Sequence, residues 1–275
     1  MKLIVLKFGG ELIEDRAHLA TVVQALGRIA RTGSQLVVVH GGGKEIDAAL
    51  KTAGLDKRQV DGLRITDEAT LDVVVSVLAG AVNTRFTAAL NAAGVPAVGL
   101  TGADGLCGLS VEAPPHRAVD GRLVDLERVG IPDRAADMRV LQTLTRDGFV
   151  PVIACIGITR DGQLLNVNAD TLAGHLAAQL GAERLVIAGT TAGVLDAAGA
   201  TLPGLAADAI AALVADGTAT AGMIAKLRAC EHALAGGVDG VVIVDGRDGS
   251  ALEAAADSRS PARATLITSL HEAKR

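Results

Sequence analysis

The chain has 275 residues, of which 49% are hydrophobic but only 1% aromatic, and a formal net charge of -5. That length accommodates one large α/β domain or two ordinary lobes, and an interior of Val, Leu, Ile and Ala suits helices on a mostly parallel sheet. A negative balance without any Lys/Arg block argues against nucleic acid or an acidic membrane surface as the main partner.

The first apolar run, Leu3 to Phe8, ends on Lys7 and is followed by Gly9-Gly10. A buried strand needs no ammonium, and two glycines give up packing for backbone that bends sharply and can be closely approached. Leu19, Val22, Val23, Leu26, Ile29 and Ala30 then follow the stripe of an amphipathic helix. A second strand, Gln35 to His40, leads through Gly41-Gly42-Gly43 into the next helix. A helix N-terminus offers unpaired N–H groups and partial positive charge, and glycines let an anion reach them. A lone glycine run is as readily a tight turn. Two runs, each at a strand end, favour a phosphoryl group received between them. Neither has the spacing of a dinucleotide fingerprint or a P-loop, and the esterase reading of HGGG fails because no G-x-S-x-G occurs.

VDGLRITDEAT, Val60 to Thr70, places Arg64 between apolar neighbours just before a helix that Thr66 or Asp67 would cap. Such an Arg is either a structural ion-pair partner or a bidentate clamp for a substrate carboxylate. Further strands are expected at Ala97 to Leu100, Phe149 to Ile153, Arg184 to Ala188 and Gly240 to Val244. Polar-apolar alternation around Asp120-Gly121 predicts an inserted β-hairpin between Cys107 and Leu126, a candidate lid. In LLNVNADTLAGHLAAQL, Leu164 to Leu180, extended backbone would put Asn166, Asn168 and Asp170 on one face. Asp170 alone reads equally as a helix cap, and His175 reads as packing. Met223, Leu227, Cys230 and Leu234 mark a late helix on which Lys226 lies off the apolar line, where a solvated lysine is the plain alternative. The alternation βαβα predicts helices on both faces of a parallel sheet, with ligands outside the strands' carboxyl ends. The glycine-rich stretch from Gly181 to Gly199 is the expected lobe boundary.

Cys107, Cys155 and Cys230 form no CxxC pair, which argues against a disulfide framework or structural zinc and for a reducing compartment. No charged-then-apolar leader is evident, and Leu71 to Val82, the most apolar long stretch, is too short to span a bilayer. A soluble cytoplasmic protein is expected.

KFGG, VHGGGKEID, DGLRITD, NVNAD and GMIAKL stand in the order and rough spacing of the amino acid kinase family, which the chain resembles from Lys2 to about Val244. DGLRITD together with NVNAD most resembles those members that act on N-acetyl-L-glutamate. The resemblance implies a three-layer α/β/α sandwich with a mainly parallel open sheet, an N-terminal lobe (1–180) for the acyl amino acid and a C-terminal lobe (181–275) for ATP. It implies ATP-dependent phosphorylation of the side-chain carboxylate of N-acetyl-L-glutamate, a step of arginine biosynthesis. By the same resemblance Lys7 stabilises charge on the transferred phosphoryl group, and Gly9, Gly10, Gly42 and Gly43 cradle it. Arg64 and Asn166 hold the substrate's α-carboxylate and neighbouring groups, with Asn168 on the same side. Asp170 orients Lys7 and Lys226, and Lys226 reaches the ATP phosphates. Thr190, Gly193, Thr218 and Thr220 line the nucleotide pocket. Mg2+ is expected to arrive with ATP, held by phosphates and water, with no protein metal ligands.

Phosphoryl transfer to a carboxylate brings two anions together, so the catalyst's task is alignment and positive charge. A side-chain carboxylate is already ionised at pH 7, and no general base is needed. Two departures from the family pattern stand out. AGTTAGVLD, Ala188 to Asp196, puts Thr190 where members usually carry Asp. Arginine-inhibited, hexameric members carry an extra N-terminal helix, so a homodimer insensitive to arginine is expected here. The competing expectations are a kinase for carrier-protein-linked aminoadipate or glutamate, and a non-catalytic nucleotide or amino-acid sensor.

Overall fold

A computed structural model describes residues 2–196, 198–215, 221–257 and 263–269. Strands β1 (Leu3–Phe8), β2 (Gln35–His40), β3 (Ala97–Thr101), β4 (Val150–Ala154), β5 (Arg184–Gly189), β6 (Gly204–Ala206), β7 (Gly240–Asp245) and β8 (Ala264–Thr268) form one sheet. Their order is β6-β8-β7-β5-β1-β2-β4-β3. Six run parallel, while β6 and β8 at one edge run the other way. All six strands expected from apolar runs are present within a residue of their expected ends. Phe149 is 43% exposed and stays outside β4, and the edge strand β3 is only partly buried, with Gly99 exposed.

Helices that cover the sheet include α1 (Arg16–Ala30), α2 (Gly43–Thr52), α3 (Glu68–Ala92), α4 (Ala169–Leu180), α5 (Ala221–Ala235) and α6 (Gly249–Ala256), and the shorter helix Arg139–Arg146 packs on β2 and β4. The side-chain alternation of β1 sorts the layers. Ile4, Leu6 and Phe8 join the core under α1 and α6, and Val5 joins the core under α4 and α5. Lys7 therefore belongs to the α4 face. Local caps set the helix starts: Asp15 accepts from the N–H groups of Ala17 and His18, and Asp67 from that of Thr70. Of the two expected caps for α3, Asp67 is the one used. Thr66 instead donates to Arg64 O.

Leu71 to Val82 is part of α3, which runs 25 residues. By length and composition this helix suffices to cross a membrane, so shortness does not exclude a span. Its buried apolar residues Leu71, Val74, Leu78, Val82, Phe86 and Leu90 recur every three or four positions, with Thr70 and Asn83 buried beside them, so it presents one stripe to the sheet. A wider π segment, Ser76–Val82, lies where α3 passes Gly42.

The expected hairpin is shorter than its span suggests. His116–Arg117 pairs with Leu123–Val124, with Gly121 at φ 88 in the turn. Ser110–Glu112 leaves it to join a separate four-stranded sheet with Val129–Pro132, Leu164–Val167 and Ile156–Ile158.

Candidate active site

The carboxyl ends of β1 and β2 carry the two glycine turns, and the turns touch. A Cβ added to Gly10 would lie 2.7 Å from the Cα of Gly42, and one on Gly42 would lie 2.8 Å from Leu78. A side chain at Gly10 would push the turns apart and one at Gly42 would press on Leu78 of α3, and this is the physical reason for glycine there. The N–H of Gly9 donates to Ala188 O, extending the strand ladder, so Gly9 contributes backbone shape. Gly42 stands at the N-cap of α2 and provides no side-chain cap; the N–H of Glu45 donates to Glu14 at 3.3 Å, which leaves the N–H groups of Gly43 and Lys44 at the helix start for an anion.

That cavity, of about 280 Å³, is lined by Lys7, Gly10, Gly42, Arg64, Asn166, Asp170 and Lys226, among others. Residues from β1, the α2 turn, a hairpin before α3, the small sheet, α4 and α5 meet there. Lys7 Nζ lies 2.8 Å from Asp170 Oδ1, and Lys226 Nζ lies 3.2 Å from Asp170 Oδ2. Lys7 and Asp170 are each 5% exposed. Burial would raise the pKa of Asp170, but the two ammonium groups hold it below the usual carboxylate value. Burial likewise would lower Lys7, and Asp170 outweighs it, so Lys7 is raised. Lys226 is lowered by burial and by the Lys7 charge, against which Asp170 works only in part. Three cations of the lining, Lys7, Arg64 and Lys226, face two carboxylates, Glu11 and Asp170, which leaves a net positive charge in the cavity.

Asn166, Asn168 and Asp170 all line the cavity, but not as three residues of one strand. The strand ends at Val167. Asn168 is the N-cap of α4, its Oδ1 accepting from the N–H groups of Asp170 (2.9 Å) and Thr171 (3.1 Å). Asp170 sits in the first helical turn, where the helix dipole also favours a carboxylate. Asn is among the preferred caps, so the residue class had already marked it.

Arg64 owes its place to a two-residue hairpin turn: Asp61 and Gly62 have φ 47 and 81, joining Gln59–Val60 to Leu63–Arg64. Its Nη2 pairs with Asp47, which also takes Lys57 at 2.7 Å. Among the described residues, Arg64 Nη1 is buried without a hydrogen-bond partner. One side of the guanidinium is thus in an ion pair, as the structural alternative expects, and the other is unsatisfied. Asn166 Nδ2 donates to Thr66 Oγ1 at 3.0 Å.

Sequence reasoning gave no role to Asp47, which orients Arg64, nor to Glu11, whose carboxylate lines the cavity beside Gly9. The Asp61-Gly62 pair was the signal for the turn that carries Arg64. His40, beside the glycine turn, is fully buried: Nδ1 donates to Gly41 O and Nε2 accepts from Asn83. Burial pushes its pKa down to about 4, so it is a neutral structural ring.

The nucleotide candidates sit elsewhere. Thr190 follows β5, is exposed, and its carbonyl accepts from Arg247 at 3.0 Å. Gly193, at φ 96, is buried against Thr265, where a Cβ would lie 2.5 Å from Thr265 Oγ1. Neither lines the cavity that holds Lys7. Thr218 and Thr220 lie outside the described residues. Among those described, no group of three or more His, Cys, Asp or Glu is placed to hold a metal. A smaller cavity of about 90 Å³ near Ile4 and the Arg28–Glu253 pair contains none of the candidate residues.

The amino acid kinase family profile matches residues 2–245. An acetylglutamate kinase of Acidiphilium cryptum is 42% identical, the match covering 89% of this chain and 83% of that protein. Another, of Novosphingobium aromaticivorans, is 41% identical over 90% of this chain and 84% of its own. Among solved structures, N-acetylglutamate synthase of Neisseria gonorrhoeae, complexed with coenzyme A and N-acetyl-glutamate, matches with TM-score 0.82 at 27% identity. That match covers 97% of this chain and 59% of the synthase chain.

Proposed function

This chain belongs to the amino acid kinase family, and on that premise we propose that it transfers the γ-phosphoryl group of ATP to the side-chain carboxylate of N-acetyl-L-glutamate, in arginine biosynthesis. The observation that carries this reading is the buried Lys7–Asp170–Lys226 relay beside two abutting glycine turns. It is a preorganised positive site with no general base, as attack by an ionised carboxylate requires. Lys7 stabilises charge on the transferring group, while Gly10 and the first-turn N–H groups of α2 cradle it. Asp170 holds both lysines in place, and Lys226 meets the nucleotide phosphates. The unsatisfied Nη1 of Arg64 takes the acceptor's α-carboxylate, aligned by Asp47. Asn166 holds a neighbouring polar group of the acceptor.

Residues 1–180 take the acceptor, and 181–275 take ATP with Mg2+. Magnesium, when bound with the nucleotide, screens the phosphates, and its ligands are chiefly the phosphates and water. The protein works in the cytoplasm, consistent with three buried free thiols. It works as a homodimer through α3, whose most apolar window is only 33% buried within one chain.

A hydroxamate-trapping assay with ATP, Mg2+ and candidate acids tests the reaction. Trapped product with free N-acetyl-L-glutamate is expected. Product only with a carrier-linked substrate, or none with any acid, overturns the assignment.

A further inference from the structure

Helices α4 and α5 meet along a row of small residues that starts at the charged pair. Asp170, Gly174 and Ala178 succeed one another by a turn on α4, and Lys226, Ala229, Ala233 and Gly236 follow one side of α5 and its end. The contact is backbone to backbone. A Cβ added to Gly174 would lie 2.7 Å from the carbonyl oxygen of Ala229, and one added to Gly236 would lie 2.3 Å from the Cβ of Ala178. Ala173, Ala177, Ala229 and Ala233 beside this row are buried. Residues near each helix start pair with each other, as do residues near each end, so the two helices run parallel. Lys226 and Asp170 form the topmost rung.

Helices separated by ordinary side chains lie about 8–10 Å apart, and glycine at the crossing removes the atoms that enforce such spacing. The Lys226 ammonium and Asp170 come from parts of the chain 56 residues apart, and α4 and α5 carry them rigidly. Their separation is therefore set by how closely the axes approach one turn below. We propose that Gly174 is a positioning residue, whose missing side chain lets α5 close on α4 far enough for Lys226 to share Asp170 with Lys7; Gly236 does the same at the far end. This rests on the roles given above to Lys226 and Asp170. The clash partner of Gly174 is a helical carbonyl, which has no rotamer to escape into, and close-packed interiors yield little. Relief requires α5 to move by about 0.7 Å or more, the difference between 2.7 Å and the 3.4 Å at which ordinary contact begins. The long lysine stem absorbs part of that displacement, which keeps the expected loss near tenfold in turnover, below the roughly 10²-fold of a full ångström.

The test compares Gly174→Ala with Gly27→Ala, a helix control whose added Cβ makes ordinary contacts at 3.6 Å. Gly174→Ala is expected to lower kcat about tenfold with the KM for N-acetyl-L-glutamate unchanged, and Gly27→Ala to leave both as they are. In a Lys226→Ala background Gly174→Ala is expected to cost nothing further in kcat, because the group it misplaces is gone. A tenfold loss that persists in that background overturns the proposal, as does an unchanged kcat in the single variant. If Gly174→Ala fails to fold, Gly236→Ala takes its place. Rescue of that variant by the size swap Ala178→Gly is expected, and failure of rescue counts against the proposal. A wild-type protein inactive on N-acetyl-L-glutamate strikes the functional reading alone. The positioning claim is then decided by acylation of Lys226 with an amine-selective reagent, read by peptide mass spectrometry. A several-fold faster rate in Gly174→Ala supports it, and an equal rate overturns it.

Discussion

Lys7 and Lys226 reach one carboxylate from two different kinds of structure, and the fold treats them oppositely. Lys7 ends a central strand, is 5% exposed, and is held more basic than an ordinary lysine. Lys226 projects from a helix, keeps 20% of its side chain exposed, and is pushed less basic by burial and by Lys7. A single carboxylate cannot neutralise two ammonium groups. Lys7 holds the shorter contact, at 2.8 Å against 3.2 Å. Lys226 is the more accessible of the two, so an arriving polyanion meets its charge first.

Removing the shared anion should do the most damage. Asp170→Asn leaves two ammonium groups adjacent in a site that is 5% exposed, and a loss of about 3–5 kcal/mol in stability is expected, with turnover reduced at least as far as for either lysine variant. Denaturant unfolding checks this, and a stability within about 1 kcal/mol of wild type would break the account of the pair as buried and coupled. Next, Lys7→Ala should lower kcat by about 10²–10³, the cost of one preorganised charge at the transition state. Near-normal turnover in steady-state kinetics would remove Lys7 from the chemistry. Arg64→Lys keeps the charge but loses the planar fork that serves Asp47 and the acceptor together; a rise of roughly tenfold in acceptor KM, with kcat little changed, is expected. An equal fall in kcat would place Arg64 with the lysines.

The smallest effect sharpens the comparison itself. Because the folded pKa of Lys226 lies below 10.5 and that of Lys7 above it, Lys226 loses its proton first as pH rises. kcat/KM for ATP should fall along an alkaline limb that begins below 10.5 and moves upward in Lys226→Arg. A limb unmoved by that change would assign it to another group. Stability has opposite signs for the two lysines. The Lys7 contribution is full below 10.5 and is lost as pH rises through its raised pKa. The penalty at Lys226 is present below its depressed pKa and is relieved as pH climbs toward 10.5.

The parts legible in the sequence are those whose signals are local. The apolar runs gave the six strands because a parallel sheet buried on both faces demands continuous Val, Leu and Ile. Lys7 and the glycine turns stood out because an ammonium and missing side chains are anomalous at the end of such a strand. Asn168 differs from the expectation because alternation does not mark where a strand ends: a cap and a strand residue look alike until the helix start is fixed. The span Cys107 to Leu126 was read as one hairpin because local alternation cannot say whether a strand pairs within it or, as Ser110–Glu112 does, with Val129–Pro132.

What the sequence alone determined is the inventory: an α/β chain with strand-end glycines, two suspect lysines, an arginine before a helix and an acid beside asparagine. The tertiary structure alone decided which of these meet. Lys226 looks like a solvated lysine by every local measure, and it becomes one of two cations on Asp170 only because α4 and α5 approach to backbone contact. The physical reason is range. Turns, caps and strand runs are settled by neighbours a few residues away, whereas a charge pair 56 residues apart in sequence depends on packing distances between whole helices. No periodicity in the chain encodes those distances.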